Sequence, residues 1–194
     1  MAQPVESPDR GHVTALLERA RQGDVAAEAE LLPLVYADLR RAAERLLRRE
    51  RDSHSFQPTD LVHEGYLKLG GATADAQSRK HFVAIAARAM RQVLVDHARR
   101  RGAAKRGAAV EVRITSVDAG IDIDLAEILT LDDALQRLSK RNPRLTRVVE
   151  LRFFAGLNEE ETASVLGVTS RTVQRDWATA RAWLYKELDA SRKS

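Results

Sequence analysis

EEETASVLGVTSRTVQRDWATARAWL, residues 159–184, reads as two helices joined by one sharp turn. Ala163 sits inside the first helix, where a small residue lets a second helix cross closely. Gly167 follows at the point where the chain must turn, and a positive φ costs glycine nothing. Val168 plugs the core beside the turn, and Thr169 is placed to cap the next helix. Val173, Trp177, Ala180 and Leu184 then recur at helical spacing as a buried stripe. That leaves Arg171, Thr172, Gln174 and Arg175 on the early exposed part of the second helix. A recognition helix meets base edges and phosphates there, arginine reading guanine and glutamine reading adenine. An Ala-x-x-x-Gly pair alone is common in ordinary helical hairpins. The full set of small residue, turn glycine, cap, plug and basic second helix points to a DNA-binding helix-turn-helix.

Working outward, helices are expected over about 125–139, 143–154, 159–166 and 170–188, punctuated by Asn142-Pro143, Gly156 and Gly167. Upstream, residues 102–124 show no clear period. VEVRITSV has the composition of a short strand, but no second strand-like run offers itself as a partner, so a linker is expected. Before it, an amphipathic helix runs from His81 to about Arg101. Phe82, Ile85, Ala86, Ala89 and Val93 share one face, with Arg88, Arg91, Gln92 and Arg99 opposite. Residues 72–80 read as a polar loop. Thr59 or Asp60 caps a short helix ending at Leu69 and Gly70-Gly71. Asp24 caps a longer helix that Pro33 should kink or restart. Residues 1–11 read as a mobile tail. The expected fold is all-α: two small helical domains, 12–101 and 125–190, around a flexible acidic linker, 102–124.

Charge is segregated along the chain. From Arg79 to Arg106 there are nine Lys or Arg and one acid, Asp96; from Gly107 to Ala134 there are seven acids and one base, Arg113. A solvated charged helix would balance its signs. This one does not, so phosphate binding is the better reading. Its apolar face is alanine-rich, which suits helix packing better than lipid. The formal charge of +4 agrees with a polyanion partner without requiring one.

Several function classes fall away. With no cysteine there is no disulfide and no thiolate metal site. The polar start, MAQPVESPDRGH, lacks the apolar core of a signal peptide, and no apolar run reaches the ~20 residues of a membrane span; a cytoplasmic protein is expected. His63-Glu64 lacks the second histidine of a zinc-protease motif. Asp118, Asp122 and Asp124 lack the glycine and closing glutamate of a calcium loop. No phosphate-binding glycine loop or nucleophile set is present. Neither an enzyme nor a cofactor or metal site is expected.

Three separated blocks carry a family resemblance: TDLVHEGYLKL, KHFVAIAARAMRQVLVDHARRR, and NPRLTRVVELRFFAGLNEEETASVLGVTSRTVQRDWATARAWLYKEL. In this order and spacing, spanning roughly residues 12–189, they resemble extracytoplasmic-function (ECF) sigma factors of the sigma-70 family. The resemblance implies an RNA polymerase sigma factor that directs promoter-specific initiation. Asp60, His63, Glu64 and Tyr66 would dock on the polymerase β′ coiled coil. Arg79, Lys80, Phe82, Arg88, Arg91, Gln92, His97 and Arg99 would contact the −10 element. The −35 element would be read by Arg171, Thr172, Gln174, Arg175 and Thr179, with the second domain touching the β flap. The implied partners are core RNA polymerase and promoter DNA, with an anti-sigma factor as a candidate regulator and no membrane insertion. The loop GGATADAQSRK departs from many family members, which carry a tryptophan there. A stand-alone helix-turn-helix regulator remains the alternative, distinguished by binding an operator without polymerase. A recombinase-like DNA-processing enzyme would need a catalytic set that the sequence does not offer.

Overall fold

The computed structural model describes residues 8–47, 57–70, 75–104, 113–116 and 121–192, with side chains over 11–47, 57–70, 75–100 and 128–190. The chain is all-α: α1 (Pro8–Arg21), α2 (Val25–Leu46), α3 (Pro58–Leu69) and α4 (Arg79–Ala104), then α5 (Leu125–Arg141), α6 (Pro143–Val149), a π-helical turn (Glu150–Phe154), α7 (Glu159–Leu166) and α8 (Ser170–Arg192). The first helix starts at Pro8, inside the expected tail; residues 1–7 lie outside the described residues. Proline suits a helix start, where its missing N–H has no partner to lose.

α3 packs along α4, α1 along α2, and α2 along both α3 and α4. Leu16, Leu17, Leu31, Leu39, Leu61, Phe82, Met90 and Leu94 are fully buried between them. Burying each such side chain contributes about 1.5–3 kcal/mol. Asp24 caps α2 as expected, its Oδ1 accepting the N–H groups of Ala26 and Ala27 at 3.0 and 3.2 Å. Pro33 neither restarts nor ends α2, which runs through it. Pro33 is exposed, so the carbonyl that loses its hydrogen bond can be met by water. The cap of α3 is Gln57, not Thr59 or Asp60. Pro58 takes the first helical position, and Asp60 reaches back to accept the Gln57 N–H at 3.1 Å.

The linker expectation needs one correction. Residues Arg113–Ser116 and Ile121–Asp124 pair as a short antiparallel hairpin, β1 and β2, with Arg113 opposite Asp124. The overlooked partner is IDID, whose strict alternation has the period of a strand but is brief enough to pass as the lead-in to α5. β1 lies beside α2 and β2 beside α5.

In the second half, α6 and α5 pack on α8, and α7 packs on α8. Where one helix was expected over 143–154, the ladder changes register at Glu150. The Ala155 N–H bonds the Glu150 carbonyl at 3.0 Å, five residues back. The two halves are not separate in space. α4 packs on α5 and on the π-helical turn, and also touches α7.

Candidate nucleic-acid interface

α7 and α8 form the expected helix-turn-helix. Asn158 caps α7, its Oδ1 accepting the Glu161 N–H at 2.8 Å while Glu161 returns to the Asn158 N–H at 2.9 Å. Glu159, Glu160 and Glu161 fill the first turn, where the helix dipole favours acids. Gly167 turns the chain at φ 64°. Thr169 Oγ1 accepts the Thr172 N–H at 3.2 Å and starts α8. Val173, Ala180 and Leu184 are buried, and Trp177 nearly so, as the stripe required.

The result is a polar row on the outer face of α8. Arg171, Gln174, Arg175 and Thr179 are exposed, and Thr172 is half-buried beside Thr169. Gln174 Nε2 donates to Glu159 at 2.6 Å, and Thr179 Oγ1 to the Arg175 carbonyl at 2.9 Å. Arg175 stands 4.0 Å from Asp176. Asp176 itself is buried and held by Arg144 at 2.7 Å, which ties α8 to α6. With Arg171, Gln174, Arg175 and Thr179 all exposed, the row faces outward.

The α4 residues fare differently. Arg79 turns inward, donating to Asp38 at 2.6 Å and to the Leu34 carbonyl at 2.9 Å. Phe82 is fully buried. It is a core side chain, which corrects its expected contact with the −10 element. Lys80 pairs with Glu161 at 3.2 Å. His97 is half-buried. Arg91 and Gln92, with Arg99, converge on one carboxylate of α5. Arg91 Nη1 donates to Asp132 at 2.6 Å, Gln92 Nε2 at 3.2 Å, and Arg99 Nη2 stands 3.5 Å away. Arg91 is 5% exposed and Asp132 1%. Burial pulls the Arg91 pKa below the usual guanidinium value, against the opposing pull of Asp132 and Glu150. Buried Glu150 lies 3.5 Å from Arg88 and 3.9 Å from Arg91, and accepts a hydrogen bond from Arg147 at 3.1 Å. The face of α4 expected to meet DNA therefore meets the second half of the chain.

On α3, Asp60, His63 and Glu64 are exposed. Tyr66 is half-buried, and its hydroxyl donates to the Glu28 carbonyl at 3.3 Å. Burial, then Glu28, pushes its pKa up. Tyr66 thus braces α3 against α2. Leu67, which no sequence pattern singles out, is 80% exposed. It stands one turn beyond His63 and Glu64 on the same face. Glu150 carries only a faint signal in the sequence, a lone acid within the apolar run VVELRFF, and Asp132 is one of several acids after the linker with nothing to single it out.

Among the described residues no helix is long and apolar enough to cross a membrane. No curated protein and no solved structure matches the chain. The family model described as ECF sigma factor matches residues 10–190, nearly the whole length, and the chain belongs to that family.

Proposed function

We propose that this sigma factor binds core RNA polymerase and directs initiation at promoters by reading two DNA elements with two modules. α5–α8 form the module for the −35 element and α1–α4 the module for polymerase docking and the −10 element. The observation that carries the reading is the exposed row Arg171, Gln174, Arg175 and Thr179 on α8, directly after a capped, glycine-turned helix-turn-helix. The start of α8 carries no acid, so the positive end of its helix dipole and the exposed Arg171 suit a phosphate. His63, Glu64 and the exposed apolar Leu67 on α3 give the polymerase a mixed polar and apolar contact of the kind that protein interfaces use. Arg88, Arg91, Gln92 and Arg99 serve the −10 element only when α4 parts from α5.

Run-off transcription with purified bacterial core polymerase on a library of promoter fragments tests the reading. Discrete start sites that depend on the protein are expected. Gln174→Ala or Arg175→Ala should relax −35 discrimination by ~1–3 kcal/mol per base contact. Glu64→Lys or Leu67→Asp should lower polymerase capture without altering which promoters are chosen. Absence of initiation, together with tight binding of one operator by the protein alone, would replace this reading with a stand-alone regulator.

A further inference from the structure

We propose that Asp132 occupies the place of a DNA phosphate on α4 and latches the free chain in a closed form whose −10-reading face is masked. The inference rests on the reading above, that the α4 bases meet DNA. Both Asp132 oxygens are taken. Oδ1 accepts from Arg91 at 2.6 Å and Gln92 at 3.2 Å. Oδ2 accepts from Gln136 of its own helix at 2.9 Å and faces Arg99 at 3.5 Å. A guanidinium and an amide converging on one small anion is the pattern these side chains would make with phosphate. Glu150 supplies a second anion to Arg88 and Arg91. The Arg91 guanidinium also lies 5.3 Å from the Phe154 ring centroid.

Further clasps surround the latch. Arg45 of α2 donates to the Ala155 carbonyl, Lys80 pairs with Glu161 at 3.2 Å, and Arg147 meets His81 at 2.6 Å. Gly156, at φ 70°, makes room for Arg45: a Cβ there would collide with its guanidinium. The α8 row is outside all of this. The closed form therefore hides one DNA-reading face and leaves the other open. DNA or polymerase must compete with an internal carboxylate before α4 can act.

The buried pair makes the latch sensitive to a single charge. Without the Asp132 charge, buried Arg91 keeps only the more distant Glu150, 3.9 Å away, as a counter-charge, and separation lets it hydrate. The chain contains no cysteine, so Ala29→Cys on α2 and Ala182→Cys on α8, both exposed, can be labelled cleanly in the full chain for a distance measurement. Asp132→Asn keeps the shape of the side chain and one acceptor oxygen. Gly156→Ala disturbs the Arg45 clasp without touching the α4 face. Asp133→Asn makes the same charge change on the exposed neighbouring residue and is the control. Binding is read with a short mixed-sequence single strand of DNA at fixed salt.

Asp132→Asn and Gly156→Ala are expected to lengthen the label distance, and Asp133→Asn to leave it alone. Asp132→Asn should also bind the single strand about tenfold more tightly than Asp133→Asn, as follows if the open form is a tenth or less of the wild-type population. An unchanged distance in both Asp132→Asn and Gly156→Ala overturns the latch and leaves the DNA reading of α4 standing. A lengthened distance with no gain in DNA binding over Asp133→Asn shows that the latch exists but guards no DNA face. That outcome overturns both the masking proposal and the −10 assignment.

Discussion

Gly65 lies on α3 where a Cβ would come within 2.5 Å of Met90 Cγ on α4. The two helices can pack this closely only because position 65 has no side chain. Gly65→Ala should destabilise the chain by about 1–3 kcal/mol, the usual range for overpacking a filled core, although alanine is the better helix former. Chemical denaturation measures this; a stabilised variant would show that α3 can retreat freely. The sequence places Gly65 inside a helix but says nothing of Met90, because that contact is set by how α3 lies on α4. Phe82 shows the same limit. Its position at the head of an apolar stripe fits both a core residue and a base-stacking one, and only the packing of α1–α4 decides for the core. Gln174 and Arg175 were legible because their exposure follows from the stripe on their own helix.

At the scale of elements, what could be read was what is local. Asn158, Gly167 and Thr169 act on residues within a turn of themselves, and the helix-turn-helix they punctuate stands as its pattern requires. Gly167 has open space around its missing Cβ, so only its φ of 64° demands glycine. Gly167→Ala should therefore cost about 1–2 kcal/mol of backbone strain, and Gly167→Asn clearly less, since asparagine tolerates the left-handed region. Thermal unfolding of the pair separates strain from crowding: equal losses would mean that space, not φ, is limiting. Non-local pairing was not legible. The β1–β2 hairpin needed a partner strand to be found across a gap, and the register shift at Glu150 arises in a run that by pattern alone is a continuous helix. The shift accompanies the burial of Glu150 against Arg88, Arg91 and Arg147.

For the whole molecule, the sequence gives two helical halves and a linker, and charge segregation suggests a basic face and an acidic segment. It does not say that the two meet. Their meeting predicts a pH dependence of the closed form through His81, which Arg147 of the second half contacts. The His81 Nδ1 faces the Gln77 N–H at 3.3 Å and Nε2 faces Arg147 at 2.6 Å, so an imidazolium, with N–H on both nitrogens, would oppose donors on both sides. Burial, then Arg147, lowers the His81 pKa from its ordinary 6.5, with Asp75 pulling weakly the other way. Lys68 and Arg88 line the same cavity of about 340 Å³ and add positive charge near it. The closed form thus binds fewer protons at His81 than an open one in which His81 is hydrated. Its contribution to closure is complete above about 6.5 and is lost as pH falls through that value towards the lowered one. The distance between labels on α2 and α8 should lengthen as the pH drops below 6.5. His81→Gln, which cannot take up a proton, should flatten that response while leaving the effect of Asp132→Asn in place. A response unchanged in His81→Gln would move the sensitivity to another group, and a flat wild-type profile would mean that the Arg147 contact yields before His81 titrates.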